Sequence, residues 1–453
     1  MPLLKLNRIL SLVLILGFPA SAAFASESFD WPQWRGPDRN AASRETGLLQ
    51  EWPESGPPLT WKITGLGGGY STPSVANGRI YGMSSRGEDE VIWSISENDG
   101  SELWVTRLGS ALTGGMPQGK EGSGCTPTVD GNRLYVLGLS GDLVCLESIN
   151  GKILWRKNLT ADFGGILPTW RYNESPLIDG EKVVVTPGGD KATLVALNKM
   201  TGETIWTAVL PNPPSNDSEG SGQRQRGGRP GMRDSGAGYS SAIAIDYKGQ
   251  RQYVQFTSKA LAGFAASNGE LLWRYDRPAN RYGINCSTPV HIEGKILAAS
   301  AYRAGGGLVQ LSQEGDRLKA NEVWFSKNME NHHGGMLVID GAVYGSNGGN
   351  GGGYLICLDF QTGDVLWNEK DPDKRRVKKG SVALADGRIY YRTEDGVMVL
   401  IEPSRMAYIE RGRFEQPDRT NQPAWTHPII ANGKLYIRDQ NQLFCYDVKQ
   451  HDQ

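Results

Sequence analysis

Ser175-Pro176-Leu177-Ile178-Asp179-Gly180 opens a unit that continues through Val195-Ala196-Leu197-Asn198 and Thr201-Gly202-Glu203 and closes on Trp206. Short apolar runs separated by Asp-Gly and Thr-Gly turns read as antiparallel strands. The unit preceding it has the same order: Thr126-Pro127, Asp130-Gly131, Leu134-Tyr135, Val144-Cys145-Leu146-Glu147, Asn150-Gly151 and Trp155. The closing aromatics recur at Trp61, Trp104, Trp155, Trp206, Trp273, Trp324 and Trp367, in steps of 43, 51, 51, 67, 51 and 43 residues. A period of ~40–50 residues with four short strands per unit is that of propeller blades. The longest step contains the Pro/Gly/Ser/Arg-rich segment 211–237, expected to be a flexible loop. A seventh unit has no closing Trp, and Phe414 or Tyr408 is the expected substitute. An eighth stops after Phe444-Cys445-Tyr446-Asp447, before its last strand. Pro58-Leu59-Thr60-Trp61-Lys62 is the complement, a Trp-ending strand with no unit before it. Pairing the two closes a ring and removes open sheet edges. The sequence therefore predicts an all-β, eight-bladed β-propeller over residues 58–450, closed by the N-terminal strand, with an N-terminal arm at 26–57.

The Thr-Gly-x-x-x-Trp endings after an Ala/Cys-Leu-Asp type of strand resemble the repeat of pyrroloquinoline-quinone (PQQ) propellers. That repeat is shared by quinoprotein alcohol dehydrogenases and by non-enzymatic propellers such as the BamB lipoprotein of outer-membrane assembly. The leader Trp31-Pro32-Gln33-Trp34-Arg35-Gly36-Pro37 is similar to one in secreted bacterial members of this superfamily. The resemblance covers nearly the whole chain after residue 25. It implies a fold more strongly than an activity, because activity resides in a site grafted onto the ring.

Residues 1–25 read as a cleaved secretory signal. Lys5 and Arg8 precede the apolar run Ile9–Phe18, and Ala23-Phe24-Ala25 supplies small residues at the cleavage positions. The run is shorter than the ~20 residues of a membrane span. A periplasmic or extracellular address is expected. Removal of the segment moves the net charge from −1 to −3, a balance that predicts no nucleic-acid partner.

Cys145, Cys357 and Cys445 occupy one repeat position, which Ser94, Ala196 and Gly263 fill in other units. A small buried slot is expected there, with Cys acting as a compact hydrophobe and no disulfide. The Trp residues are expected between blades, where the resemblance places them.

The segments leading into the innermost strands gather at one mouth of a propeller channel. Here they carry Tyr70, Cys125, the run Trp170-Arg171-Tyr172-Asn173-Glu174, Tyr239-Ser240, Asn285-Cys286, His332-His333, Lys379, and Trp425 with His427. Quinoprotein dehydrogenases hold Ca²⁺ beside PQQ with a Glu and an Asn from comparable segments. The resemblance thus offers Glu174 and Asn285 as ion ligands, Trp170 or Trp425 as a face for the quinone, and Arg171 or Lys379 as its cations. Both Glu174 and Asn285 can equally satisfy backbone groups at their strand starts. His332 and His333 are adjacent, and adjacent residues on a strand point to opposite faces, so at most one is expected to face the channel, as a hydrogen-bonding group, and no metal is expected there. The adjacent Cys-Cys platform of the alcohol dehydrogenases is missing, as are Cys-x-x-Cys-His for haem and the common hydrolase and nucleotide motifs. The leading expectation is a non-catalytic secreted propeller, without cofactor or catalytic residues, that binds a protein or cell-envelope polymer through its rims and channel mouth. The alternative is a small PQQ- and calcium-dependent dehydrogenase of alcohols or sugars.

Overall fold

The structure is a computed structural model and describes residues 28–111, 122–212, 236–315, 317–349, 352–370 and 377–451. The expected signal segment 1–25 and most of the expected loop 211–237 lie outside the described residues.

Thirty-two strands among the described residues form eight four-stranded antiparallel sheets. Strand β1 (Leu59–Ile63) stands apart from its chain neighbours. Blades 1 and 2 then take β2–β5 over 74–110 and β6–β9 over 128–158. Blade 3 is built from β10 (Leu177–Asp179), β11 (Lys182–Val185), β12 (Leu194–Asn198) and β13 (Thr204–Ala208). Blades 4 to 7 follow as β14–β17 over 243–275, β18–β21 over 290–326, β22–β25 over 336–368 and β26–β29 over 380–415. The eighth has β30 (Ile429–Ala431), β31 (Lys434–Asp439) and β32 (Gln442–Asp447), and its outermost strand is β1. Trp61 lies opposite Cys445 and Ile63 opposite Leu443. The N-terminal strand closes the ring, as the truncated last repeat requires, and gives β32 a partner in place of an open edge.

Seven of the eight blades repeat one cross-strand row that ends on a Trp. Tyr135, Cys145 and Trp155 are in register across blade 2, Tyr344, Cys357 and Trp367 across blade 6, and Tyr436, Cys445 and Trp61 across blade 8. Ser94, Ala196 and Gly263 hold the small middle position elsewhere, each opposite a Trp. At these positions the indole lies over the small residue, whereas blade 5 places Leu308 opposite Trp324. A Cβ on Gly263 would come within 2.2 Å of Nε1 of Trp273. The register slips directly after this position, as between Ala196 and Leu197. The bulged residue of the outer strand faces solvent, which is why Leu103, Leu154 and Ile205 are exposed. All five cysteines are free.

The Trp residues couple successive blades. Nε1 of Trp104, Trp155, Trp206, Trp324 and Trp367 donates to the backbone carbonyl of Ser148, Lys199, Ala266, Phe360 and Ser404, each in the next blade. The ring also roofs the next blade's turn glycine, with Trp155 over Gly202 and Trp206 over Gly269. Large apolar area and one satisfied N–H at each of these five joints hold successive blades together, whereas Nε1 of Trp273 donates to Gln252 within its own blade.

Blade 7 departs from the expectation. Neither Phe414 nor Tyr408 takes the missing Trp position. Gly412 lies in register with Leu400, and Trp52 of the N-terminal arm packs over it. Trp52 stacks edge-on with Tyr390 at 5.6 Å and against Phe414 at 5.3 Å, and its backbone N–H donates to the Arg411 carbonyl at 2.8 Å. The arm thus supplies the aromatic that the repeat lacks, a substitution invisible along the chain because the two residues are distant in sequence.

The leader segment crosses the channel. Trp31 bridges Val75 of blade 1, and the Pro32 carbonyl accepts from Val129 of blade 2. Arg39 donates to the Ser175 and Pro176 carbonyls at the start of blade 3, and Trp34 to Thr288 at blade 5. Arg35 donates to Met336 of blade 6, and Ala42 bridges Leu384 of blade 7. A segment this short reaches the inner strands of six blades only by lying across the axis. Arg35 and Arg39 are buried there, and burial lowers both guanidinium pKa values to about 10.

Candidate functional site at the channel mouth

The segments entering the inner strands form a pocket with about 150 Å³ of free room, walled by Tyr70, Trp170, Asn173, Tyr239, Cys286, Tyr302, His332, His333 and Trp425, and by Trp34 from the arm. The wall is mainly aromatic. Ring centroids follow one another from Tyr70 to Trp425 at 4.7 Å, Trp425 to His333 at 4.3 Å, His333 to His332 at 3.7 Å, and His332 to Tyr302 at 5.2 Å. This arc gathers side chains from blades 1, 5, 6 and 8. No Lys, Arg, Asp or Glu is among the described lining residues.

Trp170 and Trp425 both line this pocket. Trp170 is fixed through its backbone, whose N–H donates to the Tyr239 hydroxyl at 3.2 Å while its carbonyl accepts from Asn173 at 2.6 Å. Arg171, beside it, has a left-handed backbone at φ 64° and lies outside the pocket wall.

Glu174 and Asn285 are buried behind the wall. Glu174 Oε1 accepts from the Thr186 N–H at 2.5 Å and Oε2 from the Thr186 hydroxyl at 2.7 Å. Burial pushes its carboxyl up to about 7 against these two hydrogen bonds. Asn285 Oδ1 accepts from Asn280 and from the Ser300 hydroxyl at 2.8 Å, and its Nδ2 donates to the Thr257 carbonyl at 2.8 Å. The oxygens that calcium would take are spent on the blades. Lys379 belongs to a neighbouring depression, where Nζ donates to the Gly349 carbonyl and pairs with Glu394 at 3.0 Å. The residues the resemblance offers for PQQ and calcium therefore do not assemble around one cavity. The pocket itself offers neither an anionic oxygen for the ion nor a cation for the quinone carboxylates.

The two histidines correct an assumption. Residues 332 and 333 precede β22, in irregular backbone that turns at Gly334 and Gly335, so strand alternation does not apply. Both rings face the same pocket. Burial, with Lys379 adding to it, lowers His333 to about 3, and burial with the neighbouring His333 holds His332 well below the ordinary range. His427 sits behind them, its Nε2 bonded to the His333 carbonyl at 2.8 Å and its ring against Trp34 at 4.6 Å. Burial pushes the Cys286 thiol up to about 12.

Two aromatic wall residues were not among the candidates read from the sequence. Trp34 lies on the arm, and Tyr302 on the turn between two strands of blade 5 rather than on an entering segment. The leader motif was a signal for the first, whereas Tyr302 carried none.

A protein-family model described as outer membrane protein assembly factor BamB, of the PQQ-repeat type, matches residues 88–369. The chain is 20% identical over 350 residues to the outer membrane protein assembly factor BamB of Yersinia pestis, covering 75% of this chain and 76% of that one. It is 27% identical over 177 residues to its namesake from Kangiella koreensis, where the match covers 39% of this chain and only 35% of the relative. Among solved structures, BamB from Moraxella catarrhalis superposes with a TM-score of 0.56 at 15% identity, over 87% of this chain and 98% of that one. Quinohemoprotein alcohol dehydrogenase from Comamonas testosteroni superposes with a TM-score of 0.63 at 14% identity, over 94% and 81%. At such identities the superpositions speak to fold, and a dehydrogenase and an assembly factor share it. The matched family model spans more than half of the sequence, and the chain belongs to the BamB-type family of PQQ-like β-propellers.

Proposed function

We propose that this chain is a non-catalytic, secreted propeller that binds a protein partner through its channel mouth. The observation that carries the reading is the aromatic pocket, rich in Trp and Tyr and lacking ionised groups among its described lining residues. Central, desolvated Trp and Tyr are the residues on which protein interfaces concentrate their binding energy. The relatives' naming as assembly factors supports a protein partner in the cell envelope. No helix among the described residues is long and apolar enough to cross a membrane, and delivery by the 1–25 segment fits such an address.

A photo-crosslinking amino acid placed at Tyr70 in cells should give a discrete protein adduct, and one placed at exposed Glu203 on a blade edge should not. Trp170→Ala combined with Arg171→Ala should weaken that adduct. An adduct to polysaccharide alone would replace the protein partner with a polymer. Dye-linked alcohol oxidation that requires added PQQ and Ca²⁺, and disappears in Glu174→Gln, would overturn the reading in favour of a dehydrogenase.

A further inference from the structure

We propose that Cys286, His332 and His333 form a three-ligand site for a thiophilic transition-metal ion of the zinc and copper class, with its open coordination position facing the mouth pocket. The ligands come from two adjacent blades. Cys286 lies on the segment entering blade 5, and the histidines lie on the segment entering blade 6. One sulfur and two ring nitrogens, one from each residue, lie within 4.8 Å of one another. An ion held at ~2.3 Å from sulfur and ~2.1 Å from nitrogen spans at most ~4.4 Å between ligand atoms, so small side-chain rotations close the set.

A second observation points the same way. His332 is buried, yet neither Nδ1 nor Nε2 has a hydrogen-bond partner among the described residues. An imidazole with both nitrogens unsatisfied in a buried setting is costly, and a bound ion is one of the few things that repays it. A histidine retained only for packing would satisfy at least one nitrogen, as His427 does on the His333 carbonyl.

The donor set names the metal class. One thiolate with two imidazoles suits zinc or copper, whereas calcium and magnesium favour carboxylate oxygens, which the described lining residues do not include. The other cysteines serve differently. Cys125 is buried and hydrogen-bonded to the Leu137 N–H and the Thr126 carbonyl, and Cys145, Cys357 and Cys445 fill slots in three separate blades. The surroundings restrain the ligands. Tyr302 meets His332 edge-on, and Trp425 lies against His333 at 4.3 Å. Such apolar outer contacts fix ring orientation and limit water access. Three protein ligands leave a fourth position for water or a small ligand, and the pocket supplies the room. Coordination exchanges the Cys286 thiol proton for the ion, and the proton leaves to buffer.

The test uses the full-length chain without its signal segment, reduced and freed of metal by chelator, and titrated with Co²⁺ as the probe. A thiolate-to-cobalt charge-transfer band should grow with intense four-coordinate d–d bands, saturate at one ion per chain, and be displaced by Zn²⁺. Cys286→Ser should abolish the charge-transfer band, and His332→Gln or His333→Gln should weaken binding about tenfold or more. Near-UV circular dichroism reports whether each variant is folded. A second measurement needs no variant: Zn²⁺ should slow alkylation of Cys286 in the wild-type chain, read by mass mapping. Saturating Co²⁺ without a thiolate band in folded protein, a band that survives Cys286→Ser, or alkylation of Cys286 at equal rates with and without Zn²⁺ would overturn the site. None of these readouts depends on a protein partner, so the site and the partner-binding reading fail separately.

Discussion

Trp52 of the N-terminal arm stands directly over Gly412 of blade 7, so close that a Cβ on the glycine would lie 2.6 Å from the Cβ of Trp52. Elsewhere the joint between blades is filled by a Trp on the outer strand, and here the strand carries a glycine while the indole arrives from outside the repeat. Trp52→Ala should remove the aromatic packing on Tyr390 and Phe414 and cost ~3–5 kcal/mol. Denaturant unfolding followed by fluorescence checks this, and a loss below ~1 kcal/mol would show that the arm is not part of the joint.

Gly202 lies beneath Trp155 in the same way, at φ +74° and with 2.9 Å between its would-be Cβ and Cε3 of the indole. Gly202→Ala therefore meets both an unfavourable backbone and a steric conflict at the joint of blades 2 and 3. A loss of ~2 kcal/mol is expected. Gly131, also at positive φ (+57°) but with open space around it, provides the control. Gly131→Ala should carry only the backbone part, and equal losses at both positions would remove the role assigned to the indole.

Deleting residues 26–64 should lower the melting temperature sharply. The deletion takes away β1, the channel-crossing leader and Trp52, and leaves β32 as an open edge. Deleting 28–40 alone separates the effects, since it removes Arg35 and Arg39 but keeps the closing strand. The shorter deletion is expected to melt cooperatively at an intermediate temperature. Cooperative melting of the longer deletion at the wild-type temperature would refute the closure.

Glu174 gives the protein a pH signature. Its carboxyl rises from an ordinary 4.5 to about 7 because burial disfavours the charge. The native state then holds a proton that the unfolded chain releases, so this group's contribution is greatest below ~4.5 and declines as pH rises toward ~7. Gln in its place keeps one acceptor for the Thr186 N–H and gives a donor to the Thr186 hydroxyl. Glu174→Gln should be more stable than wild type at about pH 8, by a few kcal/mol at most, and nearly equal to it at about pH 5. Buried Glu90, likewise raised to about 7, is present in both proteins and cancels in the comparison. A variant less stable than wild type at the higher pH would contradict this.

The repeat itself, its period, the Trp at seven of the eight blade ends and the closing strand were legible in the sequence, because each is a local pattern. Turn glycines, alternating apolar residues and a terminal indole recur at fixed offsets, and an orphan strand beside a truncated repeat has one economical solution. The candidate site was legible only in part. Trp170 and Trp425 were found because segments entering inner strands converge at a mouth in any propeller. The direction of a side chain on such a segment is not periodic, and there the tertiary structure decided. It turned Glu174 and Asn285 inward to satisfy Thr186, Asn280 and Thr257, and it set His332 and His333 side by side beside Cys286. It also brought Trp34 to the pocket and Trp52 to blade 7. Local hydrogen bonding and hydrophobic periodicity act over a few residues and are written along the chain. Contacts between an arm and a blade more than three hundred residues away form only when the ring closes.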